Sequence, residues 1–268
     1  MTAPVHNPEV IKLGHVLGVT PQRLSELDGL ADVPAEDLRA LRRQIGEALF
    51  RADKQHFVKV AALSKAVPTA VAAKLTEHAL PPLLAARTAE LLEPQRAAEL
   101  VRRLPDAYLA DVAMAMDPAR SPRVIAGIPA ERVARVAAEL ARRGEWVVIG
   151  GFVAQVSRDG LVASVRTFDG EQLLRISYVL DDLGRLDEIA AALSDAQLDE
   201  MLAAAAAQQL WPELSALLAH VGDQAIVRLE GRVAAASDAV GDPIRRAATA
   251  GELGTAARAR LGMDGADG

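Results

Sequence analysis

The sequence contains no cysteine among its 268 residues. A chain without cysteine can form no disulfide framework, offers no thiol nucleophile and has no thiolate ligands for a zinc site. Aromatic residues are also scarce, at 3%, although 51% of the residues are hydrophobic. The apolar residues are therefore mostly aliphatic, with alanine prominent among them. Because alanine has the highest helix propensity and lets helices approach closely, this composition predicts an all-α protein.

Long apolar runs and a net positive charge are missing as well. The net charge is −6, so the chain as a whole has no electrostatic footprint for nucleic acid. Residues 1–10 lack the apolar core of a signal peptide. The longest nearly uncharged apolar run, Trp146 to Val156, is about half the length that a membrane-spanning helix needs. We therefore expect a cytoplasmic protein with no membrane span and no nucleic-acid partner.

The charges that are present are distributed unevenly. All lysines lie within the first 74 residues, whereas the chain from Asp159 onward has 18 acidic side chains and nine arginines. A solvated surface accounts for this asymmetry, and a docking face for a basic partner is the alternative.

A repeat with a period of 24 residues organises the middle of the chain. Three similar dipeptides are separated by this period: Leu80-Pro81, Leu104-Pro105 and Ile128-Pro129. Downstream of each dipeptide, alanine keeps the same spacing at two positions: Ala86, Ala110 and Ala134, then Ala89, Ala113 and Ala137. A period of this size is typical of stacked supersecondary units. We interpret each unit as two short helices, for example one from Pro118 toward Ala126 and its antiparallel partner from Ala130 to Leu140. Neither helix can bury its apolar side alone.

The predicted fold is a right-handed superhelical array of short antiparallel helix pairs, similar to armadillo or HEAT solenoids. We assign residues 1–67 to an N-terminal helical segment, residues 68–236 to a helical-repeat domain and residues 237–268 to a disordered tail. The tail is rich in glycine, alanine, aspartate and arginine, a composition that offers few large apolar side chains for docking. The run Val147 to Val153 is too short for periodicity to separate strand from helix, but no second strand is available, which favours a helix.

One stretch of the repeats resembles a known family. The segment Leu91-Leu92-Glu93-Pro94-Gln95-Arg96-Ala97-Ala98-Glu99-Leu100, followed by Leu104-Pro105, is similar to the helical-repeat N-terminal cytoplasmic domain of MgtE-type magnesium transporters. The flagellar motor switch protein FliG has the same superhelical style. The resemblance covers about residues 68–140 and implies the fold. We carry over no ion-binding residue, because the chain has no spanning segment and no strand-rich module after Leu140.

No motif for catalysis, a cofactor or a metal ion stands out. The sequence has no nucleophile elbow, no Walker loop and no His-Glu-x-x-His, and its five histidines lack motif context. We therefore assign no catalytic, cofactor-binding or metal-binding residue. A non-catalytic protein is favoured, although residues brought together only by the fold could still form an active site.

Two hypotheses for function are compatible with these observations. In the first, the chain is a scaffold or adaptor that binds a protein partner either on the concave face of the stacked helices or at the turn that carries Arg142, Arg143 and Trp146. In the second, it is a small-molecule or lipid-binding protein, or an enzyme, whose apolar cavity is lined by residues 147–153, Phe168 and Tyr178. The resemblance to the transporter domain adds a third alternative, a cytoplasmic regulator of ion or membrane machinery.

Overall fold

The computed structural model describes residues 7–48, 62 and 67–263. Within these ranges the chain consists of helices and their connecting turns, without a β-strand. The all-α prediction is therefore confirmed. Two compact units divide the chain, residues 1–164 and residues 165–268, so the boundary between them lies inside the predicted repeat domain. Residues 49–61 and 63–66 of the predicted N-terminal segment lie outside the described ranges.

Short helices make up the described part of the first unit. They are α1 (Pro8–Val16), α2 (35–48), α3 (Thr69–Ala79), α4 (Pro82–Ala89), α5 (Pro94–Val101), α6 (Asp106–Ala115), α7 (Pro122–Ala126), α8 (Ala130–Arg142), α9 (Trp146–Phe152) and α10 (Arg158–Val165). Two further segments, Pro21–Leu30 and Pro118–Arg120, are 3-10 helices. The apolar run after Glu145 forms α9, so its prediction as a helix is confirmed.

The 24-residue repeat corresponds to a repeated helix start. Helices α4, α6 and α8 each begin directly after the proline of a repeat dipeptide, namely Pro81, Pro105 and Pro129. Proline disfavours helical backbone in the residue before it, so the dipeptide ends one helix and positions the next. The repeated alanines Ala86, Ala110 and Ala134 are all buried. The repeat therefore encodes both the breaks between helices and the small residues at their contacts.

Each helix of the repeat region contacts the next helix but one. Helix α3 packs on α5, α4 on α6, α5 on α7 and α6 on α8. Between α4 and α6, the buried contact consists of Ala85, Ala86 and Val112. A helix of about ten residues is marginal by itself in water. Its stability therefore comes from burial against the equivalent helix of the following repeat.

The helix predicted to run from Pro118 toward Ala126 is interrupted. The chain forms the 3-10 helix Pro118–Arg120 and then starts α7 at Pro122. Pro122 has no backbone N–H for a continuous helical ladder, and it restricts the backbone of Ser121. One predicted helix is therefore two short segments.

The second unit also consists of helices. They are α11 (Gly170–Tyr178), α12 (Leu186–Ala192), α13 (Asp195–Gln208), α14 (Trp211–His220), α15 (Asp223–Ala235), α16 (Asp238–Thr249) and α17 (Thr255–Arg260). Helix α13 is central, since it contacts α11, α14, α15 and α16. The core of this unit includes Leu174, Ala205 and Leu218, which are fully buried.

The prediction of a disordered tail is wrong for residues 238–263. This segment forms α16, which packs on α13, and α17, which packs on α14. Ile244 and Leu253 are fully buried, together with Ala247, Ala248 and Ala257. With Leu261, which is also buried, only three large side chains are needed here, because the preceding helices supply the rest of the apolar surface and alanine permits close contact. Residues 264–268 lie outside the described ranges.

The contact between α11 and α13 generates a stability prediction. Gly170 is the first residue of α11, and a Cβ atom at this position would collide with the backbone of Glu200 and Met201 in α13. Gly170→Ala should therefore force the two helices apart and destabilise the protein by about 1–3 kcal/mol. The measurement is urea unfolding followed by circular dichroism.

Gly231→Ala is the matched control for this experiment. Gly231 lies in α15, and nothing is within 4 Å of the site where its Cβ would be. Alanine has the higher helix propensity, so this substitution should stabilise the protein by about 0.5–1 kcal/mol. Equal stability of the two variants would contradict the close approach of α11 and α13.

Candidate functional site

The predicted contact residues Arg142, Arg143 and Trp146 lie at the turn between α8 and α9. Gly144 adopts a positive φ of 77°. This conformation allows the backbone N–H of Glu145 to donate to the Leu140 carbonyl at 3.0 Å, which closes α8 in a Schellman motif. A residue other than glycine would be strained at this backbone conformation. The turn is therefore ordered by the local sequence.

Arg142 is the most exposed of the three predicted side chains. Its guanidinium donates from Nε and Nη2 to the two oxygens of Glu139, at 2.9 and 2.7 Å, while 71% of the side chain remains exposed. Hydrogen bonds from Arg142, and then from Arg143, lower the pKa of Glu139 to about 2. Arg142 is thus an exposed cation, and Glu139 on the same helix orients its guanidinium group.

Arg143 has a different role, because its contacts reach another helix. It donates to Asp111 at 2.6 Å, to the Ala107 carbonyl at 3.2 Å and to Glu139 at 2.7 Å. Asp111 and Ala107 belong to α6, so Arg143 ties the end of α8 to the preceding repeat. The charge of Arg143 is therefore used in contacts within the protein.

Trp146 is the first residue of α9 and is half-buried. Helix α1 packs against α9. His15 of α1 interacts electrostatically with Glu145, which raises the pKa of the imidazole, but burial has the larger effect and the net pKa is lowered. The turn therefore carries an exposed Arg142 and a half-buried Trp146, and its Glu145 interacts with His15 of α1.

Most of the other arginines that donate well-aligned hydrogen bonds link one helix to another segment of the chain. We use the term arginine clasp for an arginine that donates both to a carbonyl at the end of one segment and to the first side chain of the next helix. Arg228 is an example: Nη2 donates to the Leu193 carbonyl at 2.9 Å and to Asp195 at 2.8 Å, while Nη1 donates to the Ala190 carbonyl at 3.0 Å. The clasp thus joins α15 to the turn between α12 and α13.

The same arrangement occurs in both units. Arg132 donates to the Arg102 carbonyl at 2.7 Å and pairs with Asp106. Arg260 donates to the Leu218 carbonyl at 2.8 Å and to Asp223 at 3.1 Å. A further clasp, in which Thr69 replaces the acid, links Arg96 to the Val67 carbonyl. Sequence analysis missed these residues because the partners of each arginine are about 26–42 positions away.

An apolar cavity in the second unit bears on the ligand-binding hypothesis. It lies among helices α11 to α15, is lined by Leu173, Ser177, Leu198, Met201 and Leu229 among others, and has a volume of about 20 Å³. This space is sufficient for about one water molecule. It is much smaller than a metabolite or a lipid chain requires. The candidate lining residues Phe168 and Tyr178 are buried and half-buried in the same unit, and burial, followed by the charge of Glu213, raises the pKa of Tyr178 to about 12.

In the part of the chain that the structure describes, no group of three or more His, Asp or Glu side chains is arranged to hold a metal ion. No described helix combines the length and apolar character needed to cross a lipid bilayer.

Comparison with known proteins gives no match to a protein-family model, to a curated protein or to a solved structure.

The clasps predict a measurable contribution to stability. Arg228→Ala removes three hydrogen bonds between α15 and the turn before α13, so we expect a loss of about 1–3 kcal/mol. Arg245→Ala is the control, because Arg245 pairs with Asp242 one turn earlier on its own helix, and such a pair contributes only about 0.3–0.5 kcal/mol. Thermal unfolding of both variants is the test, and equal melting temperatures would refute a stabilising clasp.

The hydrogen bonds at the candidate site also predict how the pKa of Glu139 changes when Arg142 is removed. Arg142→Ala should raise the pKa of Glu139 from about 2 toward its usual value of 4.5, because Arg142 makes the largest contribution to the lowering. The midpoint should remain below 4.5, since Arg143 still donates to this carboxylate. Carboxyl ¹³C NMR against pH measures it. Arg135→Ala, on the same helix but paired with Asp106, should leave Glu139 unchanged; a shift there, or none with Arg142→Ala, would contradict the assignment.

Proposed function

We propose that this protein is a non-catalytic helical-repeat scaffold or adaptor that binds a protein partner in the cytoplasm. The contact between each helix and the next but one, repeated from α3 to α8, is the observation that carries this proposal. Stacked helix pairs generate extended surfaces on which repeat proteins bind their partners. We further propose that the pairs form a right-handed superhelical array, as expected from the 24-residue period.

The small internal cavity of the second unit and the contacts of the arginines also support the scaffold proposal. The cavity in the second unit has a volume of about 20 Å³, which leaves little room for an organic ligand there. The arginines of the clasps are engaged in joining helices. Residues 68–140 resemble the cytoplasmic domain of MgtE-type transporters, and this resemblance also supports the proposed superhelical array.

We propose that the partner contacts Arg142 and Trp146, with Arg143 as a positioning residue. Arginine and tryptophan are enriched among residues that dominate binding energy at protein interfaces. The guanidinium of Arg142 is exposed and already held by Glu139, so little side-chain entropy would be lost on binding. Arg143 holds the end of α8 against α6 through Asp111 and Ala107, which supports the orientation of the turn.

The test begins with affinity capture of the tagged protein from an extract of its own host, with mass spectrometry of bound proteins and small molecules. A captured protein is then purified and titrated against the chain by isothermal calorimetry. We expect a saturable complex of defined stoichiometry. A co-purifying lipid or metabolite without a protein would overturn the proposal and favour ligand binding.

Arg142→Ala tests the surface itself. We expect it to weaken the complex at least about tenfold, equivalent to roughly 1.4 kcal/mol, with the melting temperature nearly unchanged because the pair with Glu139 is exposed. Arg245→Ala is the matched control, since it removes another exposed arginine paired three residues away on its own helix. Equal affinities of the two variants would rule out Arg142 as a contact residue.

A further inference from the structure

We draw no further inference here: the strongest candidate, the exposed apolar face that Val71 and Leu75 form one turn apart on α3, carries no proposal because nothing in the structure shows what covers it.

Discussion

The close approach of helices through alanine and glycine is the constraint on which the rest of this structure depends. The described helices are short, with lengths between five and fourteen residues, and gain little stability from their own hydrogen bonds. They are stable because they bury apolar side chains on other helices, and several do so through small residues such as Ala86, Ala110 and Ala205, which are fully buried. At Gly170 even one methyl group would meet the backbone of the opposite helix. Few aromatic side chains, at 3% of the sequence, are needed because leucine, valine, isoleucine and alanine make up most of the interior.

Short helices have a polar requirement that packing alone does not satisfy. Every helix leaves carbonyl groups at its C-terminal end without an internal partner. The arginine clasps supply donors to these carbonyls and pair with the acid at the start of the following helix, where the positive end of the helix dipole also favours a negative charge. One side chain thus stabilises two helix ends and the connection between them. Arg96, Arg132, Arg228 and Arg260 have this structural role, whereas the exposed Arg142 donates to Glu139 of its own helix and is therefore a more informative candidate for binding.

The choice of Arg142, Arg143 and Trp146 as the candidate site comes from the sequence, which does not distinguish the structural roles of these residues. Arg142 and Arg143 are adjacent and chemically identical, and their common acid, Glu139, is visible at helical spacing. Asp111, which engages Arg143, lies 32 residues upstream, and no local pattern connects the two.

The tail is a similar case. Its composition resembles that of a disordered segment, yet α16 and α17 are ordered by surfaces of α13 and α14 that are remote in the sequence.

The sequence by itself determined the helical class, the 24-residue register of the helix starts and the helical state of the run after Trp146. The first two features depend on propensity, proline restriction and periodicity, which act over a few residues, and the third followed from the lack of a second strand candidate. Tertiary structure decided which arginines join helices, which glycine must lack a Cβ atom and whether residues 238–263 fold. Each of these depends on contacts between segments about 30–40 residues apart, and the free energy of such contacts comes from surfaces that exist only after the helices have packed together.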